Sequence, residues 1–178
     1  VNGNSFSYSV KLSKTISSGK HSLDFIVNDS FGNSGSASAG FNVQAVPTKI
    51  VNLISKQTVR PSEPFGALVS IYDQAGDSMA SDVSITVADS SGAVVLSASN
   101  LTRSNFTFSF PEHQKPGAYS LTASGLGLVE VSKLVVEEVE AASVSFDNKT
   151  VVLKNTGNIE YSKQFNVTLF GKKSYVIM

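Results

Sequence analysis

From Phe6 to Leu12 the chain reads Phe-Ser-Tyr-Ser-Val-Lys-Leu, with every second residue apolar and each intervening one Ser or Lys. A β-strand sends alternate side chains to opposite faces, so such a segment has one dry face and one wet face. The same alternation returns at Leu23, Phe25 and Val27, at Ala37, Ala39, Phe41 and Val43, and at Ala67, Val69 and Ile71. It continues at Val83, Ile85 and Val87, at Phe106, Phe108 and Phe110, at Tyr119, Leu121 and Ala123, and at Phe165, Val167 and Leu169. Nowhere is apolar spacing of the helical kind sustained. Turn residues punctuate the runs: Ser18-Gly19, Phe31-Gly32-Asn33, Ala75-Gly76-Asp77, Ser91-Gly92 and Pro116-Gly117. Short, half-buried strands between turn signals predict an all-β protein of sandwich or barrel type.

Two breaks divide the chain. Pro47 has no N–H for a ladder, which places a boundary after the strand Ala37–Val43. The acidic stretch Glu137-Glu138-Val139-Glu140 follows a long strand predicted over Leu128–Val136. Residues 47–140 are then one sandwich's worth of chain, since such modules run to ~100 residues. Residues 1–46 and 141–178 are each about half a module, and a few strands alone do not bury both faces of a core. The reading is therefore tandem immunoglobulin-like antiparallel sandwiches: a C-terminal half module, a complete one, and an N-terminal half. The lesser alternative pairs the two flanking pieces in one further sheet. The chain opens at Val1 and ends on strand-like Ser174–Met178, so the polypeptide is expected to continue at both ends.

Charge narrows the partners. Lys and Arg number 14, as do Asp and Glu, and no basic cluster stands out. Nucleic acid requires a concentrated cationic face, and anionic membranes attract polybasic segments, so neither is expected. No apolar run approaches the ~20 residues of a membrane-spanning helix. With no cysteine at all, disulfides and thiolate metal sites are ruled out.

Several motifs resemble those of extracellular surface repeats. Gly19-Lys20-His21-Ser22-Leu23, then Asp29-Ser30-Phe31-Gly32-Asn33, then Phe41-Asn42-Val43 resemble the closing half of bacterial and archaeal Ig-like repeats. Tyr72–Asp77 and Pro116–Leu121 are similar to the strand-end turn and penultimate strand of invasin-like and macroglobulin-like sandwiches. Asn155-Thr156-Gly157-Asn158 resembles a strand of adhesion-type surface modules. The resemblance implies an extracellular or cell-surface setting, neighbouring Ig-like modules as partners, and no catalytic residue.

The chemistry-bearing residues are sparse. His21 and His113 are the only histidines; packing or a hydrogen bond is expected of each. Serine is abundant, yet no Gly-x-Ser-x-Gly elbow occurs, so no catalytic triad is assigned. Asp73, Asp77 and Asp82 bracket one loop and Asp89 ends the next strand, making the first three the weak calcium candidates, against Asx-turn stabilisation. Glu137, Glu138 and Glu140 read as a solvated linker, with a calcium clamp as the sharper alternative. Lys172-Lys173 reads as a hairpin turn. Five Asn-x-Ser/Thr sequons, at Asn28, Asn100, Asn105, Asn148 and Asn166, are glycosylation candidates on an exported chain, Asn148 the best placed. Phe106, Phe108 and Phe110 are expected in the core. The functional expectation is a non-catalytic stalk or adhesive module without cofactors, in contact with a cell-surface protein or glycan. The alternative is an accessory glycan- or substrate-binding module of a secreted enzyme, which needs those phenylalanines to point outward.

Overall fold

A computed structural model describes residues 7–147, 150–169 and 172–177. No helix occurs among the described residues, and fifteen strands do. β1 (Gly19–Asn28) and β2 (Ser34–Val43) form an antiparallel hairpin. Nine strands follow: β3 (Pro47–Ile54), β4 (Thr58–Val59), β5 (Pro64–Asp73), β6 (Ser78–Met79), β7 (Asp82–Ala88), β8 (Val94–Leu101), β9 (Asn105–Ser109), β10 (Gly117–Gly125) and β11 (Leu128–Val136). β12 (Ala142–Asp147) pairs with β13 (Thr150–Asn155), and β14 (Gln164–Leu169) with β15 (Lys172–Ile177).

The nine middle strands make two sheets. One runs β4-β11-β10-β7-β8; in the other β5 pairs with β3 on one side and with β6 and β9 on the other. β4 lies parallel to β11, and the remaining pairs are antiparallel. The alternation in the sequence explains what the sheets enclose. Val69 and Ile71 of β5, Ile85 and Val87 of β7, and Leu121 of β10 have no exposed surface, while their strand neighbours, the buried Ser70 apart, are partly exposed. Burying a side chain of this size contributes ~1.5–3 kcal/mol. Phe65 stacks on Phe108 and Phe110 at centroid distances of 5.6 and 5.7 Å, and Tyr119 meets Phe110 at 5.1 Å. Phe106, Phe108 and Phe110 are 4%, 7% and 2% exposed, so they belong to the core and offer no aromatic platform.

Tyr119 also closes a tyrosine corner: its hydroxyl donates to the Lys115 carbonyl at 2.7 Å and accepts from Gln114 Nε2 at 2.7 Å. Together with two packed sheets and the parallel β4–β11 edge, this makes the unit an immunoglobulin-like β-sandwich.

Two details differ from the sequence reading. The alternating segment at 7–12 forms no strand, and Tyr8, Val10 and Leu12 stand exposed, for no ladder edge of the β1–β2 hairpin takes it up. Pro47 opens β3, and the register slips between Pro47 and Lys49, so its missing N–H does no harm. Lys172 and Lys173 begin β15, paired with Leu169 and Thr168, instead of forming the turn.

Candidate functional site: polar clamps at the two poles of the sandwich

The register fixes where the chain enters and leaves. Pro47 at the start of β3 lies beside Asp73 at the end of β5. Val136 at the end of β11 lies beside Val59, just ahead of the start of β5. Entry and exit are thus separated by the length of β5, about 30 Å for ten residues.

At the entry pole the turn after β5 grips the preceding segments. Asp73 N–H donates to the Asp77 carbonyl at 2.9 Å, and the Asp73 carboxylate accepts from the N–H groups of Ala75 and Asp77, each at 2.9 Å. The Ser18 hydroxyl lies close enough to the same carboxylate to lower its pKa. Only 3% of Asp73 is exposed. Desolvation is the largest single influence on its carboxyl and raises the pKa; the N–H donors of Asp77 and Ala75, the Ser18 hydroxyl and the Gly76 N–H together outweigh it, leaving the pKa below the ordinary value. Next door, Gln74 turns its amide to the incoming chain. Nε2 donates to the carbonyls of Ile16 at 3.1 Å and Gln44 at 3.3 Å, and Oε1 accepts from Val46 N–H at 2.7 Å.

At the exit pole the Asn155–Asn158 segment folds back on the linker. Thr156 and Gly157 N–H both donate to the Ala141 carbonyl, at 2.9 and 3.1 Å, and Asn158 N–H donates to the Val139 carbonyl at 2.9 Å. The Asn158 side chain donates from Nδ2 to the carbonyls of Gln114 (2.9 Å) and Glu137 (2.8 Å), and Oδ1 accepts from Val139 N–H at 2.6 Å. His113 Nδ1 donates to the Gly157 carbonyl at 2.7 Å. A Cβ on Gly157 would sit 2.0 Å from the Val139 carbonyl oxygen, a separation no side chain tolerates. Here glycine is demanded by backbone contact.

The acidic linker is correspondingly less solvated than its composition predicts. Glu140 accepts from the N–H and hydroxyl of Ser162, both at 3.0 Å, and pairs with Lys163 at 3.0 Å. The Ser162 N–H, then Lys163, hold the Glu140 carboxyl below its usual range, and Glu140 raises the Lys163 ammonium. Glu137 pairs with Arg60 at 3.0 Å. Glu138 stays exposed.

The remaining candidates are placed as follows. Asp77 and Asp82 are exposed, and Asp73 is committed to its own turn. Among the described residues no group of three His, Cys, Asp or Glu converges as a metal-holding cluster. His21 Nε2 donates to the Ser17 carbonyl at 2.8 Å while its ring stacks on Phe41. Asn28, Asn100 and Asn105 are exposed, the first at the end of β1 and the others on β8 and β9. Asn166 falls in β14, while Asn148 lies outside the described residues. The two clamps themselves escaped the sequence reading. Gln74 carries no local signal, and Asn158 stood in a motif whose partners lie 19 to 44 residues away.

No family model and no curated protein matches the chain. Among solved structures it is similar to dimeric latent PorU from Porphyromonas gingivalis, at 18% identity and a TM-score of 0.33, over 68% of this chain and 12% of that one. It is also similar to an amphioxus IgVJ-C2 molecule, at 17% identity and a TM-score of 0.32, over 66% of this chain and 59% of that one. The chain thus spans less than two thirds of the length of either.

Proposed function

We propose that this chain is a non-catalytic stretch of tandem Ig-like modules from an extracellular surface protein, and that its work is to hold neighbouring modules in fixed orientation. The flanking hairpins β1–β2 and β12–β13 belong, on this reading, to the modules before and after the sandwich. The observation that carries it is the pair of clamps at opposite poles. A chain entering at one end and leaving at the other builds a linear array, and amide side chains that commit three hydrogen bonds each to the joint remove its freedom to bend. The lack of cysteine and the scarcity of charge fit an exported module that relies on core packing. The accessory glycan-binding reading loses its main support, because the phenylalanine row it needs faces the core.

Spin labels at the exposed Ser22 of β1 and Ser145 of β12 test this directly. A clamped array predicts a narrow end-to-end distance distribution, broadened at least twofold by Gly157→Val. A distribution already broad in the unmutated chain would remove the stalk function and leave a string of independent modules.

A further inference from the structure

Natural sheets blunt their free edges with charge, proline, a bulge or brevity, because an open ladder invites another strand. Most edges of this sandwich follow that rule. β3 opens with Pro47 and carries Lys49; β4 is two residues long and runs into Arg60-Pro61. β9 is five residues long, with Arg103 shortly before it and Pro111 shortly after. β11 carries Glu130 and Lys133.

β8 breaks the rule. It is the last strand of the five-stranded sheet, eight residues long, and among the described residues it is bonded on one side only, to β7. From Ser90 to Thr102 the chain has no charged residue and no proline. Its one irregularity lies at its start, between the pairs Val87–Leu96 and Ala88–Val94, so Leu96–Leu101 runs straight. Val94 and Leu101 are 59% and 55% exposed. β2 is uncharged as well, but Gly35 and Gly40 interrupt it.

We propose that β8 is an interaction surface that pairs edge to edge, antiparallel, with β8 of a second copy of this chain. The absence of charge favours a copy over a charged partner. A two-fold pairing sets the outward row Ser97, Ser99 and Leu101 against its own equivalent, and the core-side row Leu96, Ala98 and Asn100 likewise. No like charges meet, the N–H and C=O groups left free along Leu96–Asn100 find partners while the Leu101 N–H stays with Asn100 Oδ1 at 2.8 Å, and two five-stranded sheets become one of ten. The contact is small beside the ~1,600 Å² of a standard interface, which places the dimer among weak, transient associations. The inference stands apart from the stalk reading, since it rests on the edge alone.

A glycan on Asn100 would obstruct the pairing, so the test uses protein from a host without N-glycosylation. Sedimentation from about 5 to 500 µM is expected to show a monomer–dimer equilibrium. Ser97→Lys with Ser99→Lys, both at exposed positions, places ammonium groups along the pairing edge and should weaken the dimer at least tenfold without lowering the unfolding midpoint. A monomer throughout the range overturns the proposal, as does a dimer indifferent to the two lysines. Should the lysine variant unfold early, amide exchange of the unmutated chain at both concentrations decides. Slowing at alternate residues of Val94–Leu101 in the concentrated sample upholds the pairing; slowing elsewhere alone refutes it.

Discussion

Replacing Tyr119 by Phe removes a single oxygen, yet that oxygen takes part in both hydrogen bonds that close the corner before β10. The ring stays packed on Phe110, so the loss is confined to the polar terms, and the Lys115 carbonyl and Gln114 amide are left to find water. Tyr119→Phe should lower stability by ~1–2 kcal/mol in urea unfolding. Phe108→Ala empties a site 7% exposed and should cost ~3–5 kcal/mol by the same measurement. Asn52 runs the other way. Its Nδ2 donates to Ser132 Oγ at 3.2 Å, but its buried Oδ1 has no hydrogen-bond partner among the described residues. Exchanging both groups for apolar ones, Asn52→Val with Ser132→Ala, removes a buried acceptor that no described group satisfies, so stability in urea unfolding should hold or rise, by up to ~2 kcal/mol. A fall of that size would mean that the pair's polarity contributes to stability.

At the scale of the element, one device recurs three times. Asp29–Asn33, Asp73–Asp77 and Asp89–Ala93 each carry an Asp whose carboxylate accepts the N–H groups two and four residues on. Each has a glycine at the fourth position with φ of 86–87°, a left-handed conformation that a side chain disfavours. All three carboxyls lie below their ordinary value. For Asp29 the Asn33 amide is the first cause, for Asp89 the Ser91 hydroxyl, and for Asp73 the backbone donors overcome a larger desolvation. A lowered folded pKa means that the unfolded chain binds more protons between the two values, so stability rises with pH there. The contribution is complete above the unfolded carboxylate range near ~4 and is lost as pH falls through the folded values. The urea midpoint should be level from pH 7 to 5 and drop below pH ~4. Asp73→Asn with Asp89→Asn should lower it at pH 7 and shrink the acid drop; an unchanged acid limb would show that these turns are not its source.

These same turns show how far local pattern reaches. Asp29-Ser30-Phe31-Gly32-Asn33 is legible because every partner lies within five residues. The core of β5, β7, β9 and β10 is legible because period two alone fixes which side chains meet. β8 is not, since the register slip at its start leaves Val94-Val95-Leu96-Ser97 without clean alternation. The segment at 7–12 misled for the opposite reason: alternation records what a strand would bury, and says nothing about whether a ladder is there to receive it.

For the molecule as a whole, the governing feature is that each pole of the sandwich is occupied by polar contacts to the next segment of chain. The exit clamp is the more exacting, because Gly157 admits no side chain and Asn158 has no spare donor. Asn158→Ala strips three contacts from the joint while leaving the sandwich core untouched, so it should free β12–β13 without changing the main unfolding transition by more than ~1 kcal/mol. The most direct test of the central claim is backbone ¹⁵N relaxation of the unmutated chain. A clamped array predicts one rotational correlation time for the amides of the sandwich strands, of β1–β2 and of β12–β13 alike. Hairpin amides that tumble severalfold faster than those of β5 and β10 would contradict it.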